Sequence, residues 1–383
     1  MKIILKKDSF LNSIKAVKGI VSSRGVQPIL SAILIETVSS DKIKLTATDL
    51  NLSISYTADA DVQKEGKIVI PAKVIEEIIT RLPDDKDILI ELNKETNVII
   101  IKSEKTKYEV ITLNPEEFPN VFNQNNRPGE DNTEKQFEIS TKELNKAIKQ
   151  TAFSAVQNEV GGVLTGICFT INENTLETVA TDGNRLTRSR VPINSRGENT
   201  VFISPYRTLT EVSKLISLVN DKDVKFTIKG NKILFEFENI IFQSGLIEGT
   251  YPKYQQLIPS SNEKTAFIDR EKLINTIDRV SVMVNNRTNI MKFNFENSSL
   301  EISTDTPEAG SAKENMDIDY TSENLLIAFN YKYILDVLRN IQNPKIKIEM
   351  STNLSAAVIK PENEENKDEE NNYLCLIMPV QVR

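Results

Sequence analysis

The chain lacks histidine and tryptophan entirely, and it has only two cysteines among its 383 residues. Without an imidazole, the Ser–His and Cys–His pairs that activate many enzyme nucleophiles cannot form. Cys168 and Cys375 are far apart in the sequence, and each lies in an apolar stretch, which is not the spacing of a zinc site or a disulfide framework. We therefore expect both thiols to be buried, and we expect no metal and no cofactor.

Long apolar runs are missing as well. No stretch of the sequence approaches the roughly 18 residues that a membrane-spanning helix needs. Residues 1–7 include three lysines and are too short and too soon charged for a secretory signal. No Gly-rich phosphate-binding loop is present in the sequence either. We expect a cytoplasmic protein that has no membrane partner and does not itself use ATP.

Acidic residues outnumber basic ones by 54 to 47, so the net charge is −7. This balance argues against a basic coat over the whole surface but permits a basic region, because a field depends on how charges are distributed. Windows with helical periodicity carry fifteen basic and eight acidic residues. If these helices face one side, that side would attract phosphates irrespective of base sequence. The alternative is that lysine simply favours solvated helices. The windows are residues 8–24, 71–81, 141–155, 205–218, 270–283 and 331–341.

One structural unit recurs three times along the chain. Each copy has a helical pattern, an extended segment (at 29–35, 163–171 and 290–295), a second strand and a second helical pattern. The second strands end in Asp49, Asp182 and Asp305. Repeats of this length are whole domains rather than solenoid modules. We predict an α+β protein of three tandem similar domains, each an antiparallel sheet with two helices. The predicted domains span residues 1–127, 128–259 and 260–383.

The three aspartates invite a catalytic interpretation, because carboxylates can bind metals or transfer protons. Equivalent positions in three domains are three separate places, however, and an aspartate at the end of a strand commonly accepts hydrogen bonds from the following turn. Only the second copy continues with Gly183 and Arg185. Because Gly183 suits a tight turn that needs a positive φ, this loop is either functional or the product of drift.

Three sequence features together resemble the bacterial DNA polymerase III beta subunit family, the sliding clamps. They are Ala-Thr-Asp-Gly-Asn-Arg-Leu at 180–186, Phe-Asn-Tyr-Lys-Tyr-Ile-Leu-Asp-Val-Leu at 329–338, and Ile-Met-Pro at 377–379. The resemblance covers the whole chain. It implies the DNA clamp fold and a head-to-tail homodimeric ring that encircles double-stranded DNA of any sequence. A protein of this kind is a processivity factor for a DNA polymerase and not an enzyme.

The resemblance also implies partners and the residues that contact them. The expected partners are the replicative DNA polymerase alpha subunit, the clamp loader, and other polymerases and repair proteins, which would insert short apolar motifs into a pocket. The pocket residues would be Leu164, Thr181, Gly183, Arg185, Leu186, Pro252, Leu257, Asn330, Tyr333, Leu354, Ile377, Met378 and Pro379. The DNA-facing residues would be Arg24, Lys73, Lys146, Lys149 and Arg207. The dimer interface would include Val74, Ile75, Val282 and Met283.

Some positions depart from the family pattern, and two other functions stay open. Asn184 stands where many members have histidine, and Gln256 stands where a basic residue is common, so the preferred partner motif is not defined. The chain could instead be a monomeric or open scaffold that binds peptides without encircling DNA. Self-association and retention on circular DNA would separate these two functions. A hydrolase that uses carboxylates is the third possibility, and loss of a measured activity in Asp182→Asn, with folding intact, would favour it.

Overall fold

The structure, a computed structural model, describes residues 1–21, 27–93, 95–122, 134–195, 197–220, 222–259, 261–285, 287–306, 310–362 and 372–381. The α-helices within these ranges are α1 (Lys7–Lys18), α2 (Ala72–Arg81), α3 (Thr141–Thr151), α4 (Tyr206–Ile216), α5 (Arg270–Ser281) and α6 (Tyr331–Asn340). The β-strands are β1 (Lys2–Lys6), β2 (Ala32–Thr37), β3 (Lys42–Thr48), β4 (Leu52–Asp59), β5 (Asp61–Lys64), β6 (Lys67–Pro71), β7 (Asp87–Asn93), β8 (Val98–Ser103), β9 (Thr106–Ile111), β10 (Lys135–Ser140), β11 (Gly166–Asn172), β12 (Thr175–Thr181), β13 (Arg185–Pro192), β14 (Thr200–Pro205), β15 (Asp223–Lys229), β16 (Lys232–Glu236), β17 (Ile240–Gly245), β18 (Lys264–Asp269), β19 (Ile290–Glu296), β20 (Ser299–Thr306), β21 (Gly310–Asp317), β22 (Leu325–Asn330), β23 (Lys345–Met350), β24 (Ala357–Pro361) and β25 (Tyr373–Ile377).

Each predicted repeat contains two of these helices, and the described strands are antiparallel to their neighbours, which confirms the predicted α+β class. The predicted strand starts are wrong in two repeats. The first extended segment begins as a 3-10 turn, Pro28–Ser31, and a second 3-10 turn, Glu159–Thr165, occupies the start of the segment in the middle repeat. The apolar residues at these two strand starts lie in turns. A short apolar run can be buried in a turn or in a strand, so its pattern alone does not distinguish the two.

The chain folds into two compact units, and each unit combines segments of two repeats. Unit 1 contains residues 1–142 and 207–246, and unit 2 contains residues 143–206 and 247–383. Over the described ranges, no α-helix is long and apolar enough to cross a membrane.

Unit 1 is built on two antiparallel sheets. One has five strands in the order β5-β1-β7-β8-β9, and the other has eight in the order β10-β15-β16-β17-β4-β3-β2-β6. The larger sheet joins the second repeat to the first where β17 pairs with β4. Four buried aromatic rings, 5.1, 5.7 and 6.3 Å apart between neighbouring centroids, form a row across its second-repeat strands. This row fixes the strand register, because a slip of one residue would turn every ring to the other face. The rings belong to Phe137, Phe226, Phe235 and Phe242.

Helix α1 shows how a helix is tied to this unit. Its buried apolar residues include Phe10, Ile14 and Val17, at the spacing of one helical face. Its first residue, Lys7, is buried as well, and the ammonium group donates to the carbonyl oxygen of Leu82 at 2.5 Å and to Asp84 Oδ1 at 2.5 Å. Because Leu82 directly follows α2, this lysine caps the carbonyl end of that helix, where a positive charge is favourable.

Unit 2 also has two antiparallel sheets. Eight strands have the order β14-β11-β12-β13-β25-β24-β23-β18, and four have the order β21-β20-β19-β22. The larger sheet joins the second repeat to the third where β13 pairs with β25. Cys375 lies in the main core of this unit, and Cys168 lies in a smaller apolar cluster, so the prediction of buried cysteines is confirmed. Burial raises the pKa of the Cys168 thiol to about 11, which keeps it neutral at physiological pH.

Gly166, the first residue of β11, leaves no room for a side chain. A Cβ atom at this position would lie 2.6 Å from Ile203 Cγ2 and 2.8 Å from the carbonyl oxygen of Ser204. We expect Gly166→Ala to destabilise the protein by about 1–3 kcal/mol, because the neighbouring strand β14 would have to shift. The matched control is Gly245→Ala in β17, where the nearest atom would lie 4.0 Å away. Urea denaturation measures both changes, and a wild-type midpoint for Gly166→Ala would contradict this close packing.

Candidate functional site

Strands β13, β25 and β24 present different residues on the two faces of the large sheet of unit 2. Side chains alternate between faces along a strand. Leu186, Leu376 and Val358 are opposite one another in register and therefore lie on one face. Arg185 and Ile377, which are also opposite one another, lie on the other face. Three of the pocket residues expected from the family resemblance thus lie on opposite faces of this sheet, Leu186 on one face and Arg185 and Ile377 on the other.

The face that carries Leu186 is covered by a cluster of buried residues, which we name the apolar floor. A segment at 247–258 closes over it and contributes Tyr251 and Tyr254, and Leu164 packs against the cluster. The backbone N–H of Thr181 donates to the Tyr251 hydroxyl at 3.2 Å, so this segment is tied to β12. The apolar floor consists of Cys168, Val179, Leu186, Ile203, Tyr251, Tyr254, Ala356, Val358, Leu374 and Leu376.

Large apolar side chains remain exposed next to this floor. Leu257 is 58% exposed, Leu354 is 61% exposed and Met378 is 43% exposed. Each of them lies two or three residues along the chain from a member of the apolar floor, and the exposed Pro252 lies on the closing segment. Exposed apolar side chains beside an apolar base are typical of a surface that a partner covers.

A tight turn between β12 and β13 connects this region to the segment that follows β25. Gly183 has a φ of 87°, which glycine adopts without strain and which confirms the expected turn. The Oδ1 atom of Asp182 accepts hydrogen bonds from the backbone N–H groups of Asn184 at 2.9 Å and Arg185 at 3.0 Å. The backbone N–H of Met378 donates to the Asn184 carbonyl at 2.9 Å. The turn therefore positions Met378 and, next to it, the half-buried Pro379.

Asp49 accepts the same hydrogen bonds in the first repeat. Its Oδ1 atom accepts from the backbone N–H groups of Asn51 at 3.0 Å and Leu52 at 2.7 Å. The predicted turn-capping role is thus confirmed for Asp49 and Asp182. In the part of the chain that the structure describes, no three Cys, Asp or Glu side chains are placed to hold a metal ion.

Arg185 is held on the opposite face of the sheet, where it is only 8% exposed. Its Nε donates to Asp182 Oδ2 at 3.1 Å, its Nη1 donates to Asp336 Oδ2 at 2.6 Å, and its Nη2 donates to the carbonyl of Phe153 at 2.5 Å. The guanidinium also lies over the rings of Phe153 and Tyr333, at 5.2 and 4.4 Å from their centroids. Because its donors are used inside unit 2, Arg185 links the second repeat to α6 of the third.

The remaining pocket residues on this side come from the third repeat. The side chain of Asn330 caps α6, because its Oδ1 accepts from the backbone N–H of Lys332 at 3.1 Å. Burial raises the pKa of the Tyr333 hydroxyl, and the nearby carboxylate of Asp182 adds to the shift. Ile377 is fully buried in the main core of unit 2, so it supports the site from beneath.

The predicted DNA-facing residues occupy different environments. Lys73, Lys146 and Lys149 are exposed on helices α2 and α3. Arg207 is exposed at the start of α4, and its Nη1 lies 2.5 Å from Asp49 Oδ2. Arg24 lies outside the described residues.

The predicted interface residues also differ in exposure. Val282 is 80% exposed just after α5, Met283 is half-buried, and Val74 is 39% exposed on α2. Ile75 is fully buried within unit 1, so in this structure it offers no side-chain surface to a partner. The sequence interpretation did not include β9, an edge strand whose Ile111 is 76% exposed. The sequence does not show that this strand lies at an edge, because only the sheet order establishes it.

Removing Arg185 should destabilise unit 2. We expect Arg185→Met to lower stability by about 2–4 kcal/mol, because two carboxylates and a carbonyl lose a buried charged donor. The matched control is Arg339→Met on α6, an arginine that is 58% exposed and whose ion pair with Asp278 spans 3.5 Å; this change should cost less than about 1 kcal/mol. Chemical denaturation of both variants is the measurement, and equal midpoints would contradict the linking role of Arg185.

Comparison with known proteins places this arrangement in one family. Models of the DNA polymerase III beta subunit match residues 1–122 (N-terminal domain), 138–253 (central domain) and 255–379 (C-terminal domain). The beta sliding clamp of Staphylococcus aureus is 30% identical over 390 residues, with 99% of each chain covered. A DNA polymerase III beta sliding clamp from Bartonella birtlesii, solved bound to griselimycin, matches with a TM-score of 0.90 at 29% identity and covers both chains fully. A putative DNA polymerase III beta subunit from Eubacterium rectale matches with a TM-score of 0.88 at 30% identity over 99% of both chains. The chain therefore belongs to the DNA polymerase III beta subunit family, the bacterial beta sliding clamps.

Proposed function

We propose that two copies of this chain close into a ring around duplex DNA and that the ring tethers the replicative polymerase and other replication and repair proteins. Sliding clamps are processivity factors without catalytic activity, so family membership supports the expectation that the chain is not an enzyme. The observation that carries the tethering role is the apolar floor of unit 2 with Leu257, Leu354 and Met378 exposed beside it.

The charges of the helices support contact with DNA. Within their observed bounds, the helices of the described chain carry fifteen basic and eight acidic residues, while the whole chain has a net charge of −7. Lys73, Lys146 and Lys149 are exposed on these helices. Flexible lysines attract phosphates without reading bases, which suits a ring that must slide along any sequence.

Two exposed strand edges support the dimer. Among the described strands, β9 pairs only with β8, and β21 pairs only with β20. An unpaired edge can accept a strand from another chain through main-chain hydrogen bonds. We propose that β9 of one protomer pairs with β21 of the next, with Val282 and Met283 packing near Val74 of the partner copy. Because the two surfaces differ, this head-to-tail contact closes a ring when the rotation between copies permits it.

Partner proteins would dock through short peptides. The clamp loader, the polymerase alpha subunit, other polymerases and repair proteins would each insert an apolar segment between the closing segment at 247–258 and the end of β25. The binding energy would come from one or two apolar side chains that are fully desolvated on the floor, as at other anchor-in-pocket interfaces. Asn184, at the turn, and Gln256, on the closing segment, lie where they could alter which peptides are preferred.

Retention on circular DNA tests the encircling role. The protein would be loaded onto nicked circular DNA by a clamp loader and filtered before and after the circle is linearised. We expect the protein to stay on circles and to slide off linear DNA, because a ring is held topologically and not by tight phosphate contacts. Equal retention on both DNAs, or none despite a loader that places another clamp on the same circles, would favour the open scaffold instead.

Substitution beside the apolar floor tests the tethering role separately. We expect Leu257→Ala to weaken binding of a polymerase-derived peptide by about tenfold or more, because an anchor contact is worth roughly 2 kcal/mol. The lifetime of rings already loaded on circular DNA should not change, whereas loading itself should slow, because the clamp loader is expected to use the same surface. Leu326→Ala on β22 is the matched control, because Leu326 is also exposed, at 54%, but lies outside the predicted pocket. Fluorescence anisotropy measures the affinities, and an unchanged affinity for Leu257→Ala would argue against this surface.

A further inference from the structure

A polar cluster lies on the same sheet face as the apolar floor. On β12 and β13, Glu177 lies opposite Arg190. Two residues further along each strand, Arg188 lies on the same face, opposite a residue of the apolar floor. Tyr254 of the closing segment reaches this cluster, and its hydroxyl donates a hydrogen bond to Glu177 Oε1. We name these four residues, Glu177, Arg188, Arg190 and Tyr254, the tyrosine–glutamate cluster.

The cluster is buried enough to hold its members in place. The Glu177 side chain is 14% exposed, and Tyr254 is 5% exposed. Arg190 Nε donates to the other carboxylate oxygen of Glu177 at 2.7 Å, and Arg188 Nε lies 3.9 Å from that same oxygen. Burial and the bond to Glu177 raise the pKa of the Tyr254 hydroxyl, so it stays protonated and remains a donor at physiological pH.

Tyr254 connects this cluster to the exposed part of the predicted pocket. It is the first residue of a 3-10 turn, Tyr254–Leu257, that ends at the exposed Leu257. Its backbone N–H donates to the carbonyl of Pro252 at 2.8 Å. The tyrosine is thus bonded at its backbone to Pro252 and at its hydroxyl to Glu177. Tyr254 is therefore connected to both pocket residues of the closing segment.

The first repeat shows that the fold itself does not require such a cluster. Its strands β3 and β4 pair in the equivalent register, with Lys44 opposite Thr57 and Thr46 opposite Ser55. Lys44, Thr57 and Ser55 stand where the second repeat has Glu177, Arg190 and Arg188. In the equivalent closing segment Val121 stands where Tyr254 does, because the repeats are offset by 133 residues. The same sheet and the same kind of closing segment thus form without a carboxylate at the position of Glu177 or a tyrosine that donates to it.

We infer that Glu177 is a positioning residue of the partner pocket, acting through the Tyr254 hydroxyl to fix the turn that presents Leu257 to a bound peptide. This inference rests on the proposed peptide-binding function of the same surface. A closing segment that is already fixed before the peptide arrives loses less conformational entropy on binding, so peptide binding costs less free energy. Loss of the hydrogen bond therefore weakens peptide binding while leaving the apolar contacts themselves in place.

The test compares matched single-atom changes in the full-length dimer. The probe is a fluorescein-labelled peptide from the C-terminus of the replicative polymerase subunit of the same bacterium, with affinity measured by anisotropy. Tyr254→Phe should weaken binding by about fivefold, because only part of the free energy of a hydrogen bond to a charged group is lost again as ordering of the closing segment on binding. Tyr320→Phe is the control, because Tyr320 is equally buried and donates its hydroxyl to the carbonyl of Glu323 within the third repeat. It should bind the peptide as the wild type does.

A second pair of variants separates positioning from general stability. Glu177→Gln keeps an acceptor for the Tyr254 hydroxyl, and Glu177→Ala removes it. We expect Glu177→Gln to bind the peptide within about twofold of the wild type and Glu177→Ala to bind as weakly as Tyr254→Phe. Thermal denaturation would be recorded for every variant, and the lifetime of rings already loaded on circular DNA should be unchanged in all of them.

The possible results distinguish the inference from the function on which it rests. If Leu257→Ala loses affinity but Tyr254→Phe does not, the pocket stands and the positioning role is overturned. If Glu177→Gln and Glu177→Ala lose affinity equally and in proportion to lost thermal stability, the cluster is only structural and the inference fails. If the wild-type protein does not bind the peptide at all, the proposed pocket function fails and the inference falls with it.

Discussion

Strand pairing between repeats is the interaction on which the rest of this molecule depends. In unit 1 the pairing of β17 with β4 makes one sheet from two repeats, and in unit 2 the pairing of β13 with β25 does the same. The main-chain hydrogen bonds of a ladder do not depend on side-chain identity, so the side chains on the two faces of each sheet can differ. In the large sheet of unit 2, residues on one face form the apolar floor, and residues on the other face belong to the main core of the unit.

The two faces of that large sheet are mechanically linked. Arg185 bonds to Asp336 beneath the sheet, while its neighbour Leu186 belongs to the floor above it. Adjacent residues of a strand cannot move independently. The hydrogen bonds that hold Arg185 against α6 therefore also fix the position of Leu186 in the apolar floor. We propose this surface as the docking place of exchangeable partners, and a rigid base would let each partner meet the same preformed shape.

The sequence predicted the repeats, the six helices and the clamp family, because helical periodicity and recurring phrases are local signals. It could not predict how the repeats share sheets, since the pairing of β13 with β25 joins residues far apart in the chain. The family resemblance placed Arg185 and Leu186 in one pocket, and the structure adds that their side chains lie on opposite faces of the sheet. Ile75 illustrates a further limit: Val74 and Ile75 look alike in sequence, but only the helix packing shows that one is exposed and the other is buried.

Strand β25 is late in the sequence but internal in its sheet, between β13 and β24. As the ribosome makes the chain from the N-terminus, β13 therefore has an open edge until residues 373–377 have emerged from the exit tunnel. The floor cannot form earlier, because Leu374 and Leu376 are two of its members. The proposed partner surface is therefore incomplete in the growing chain until these strands have paired.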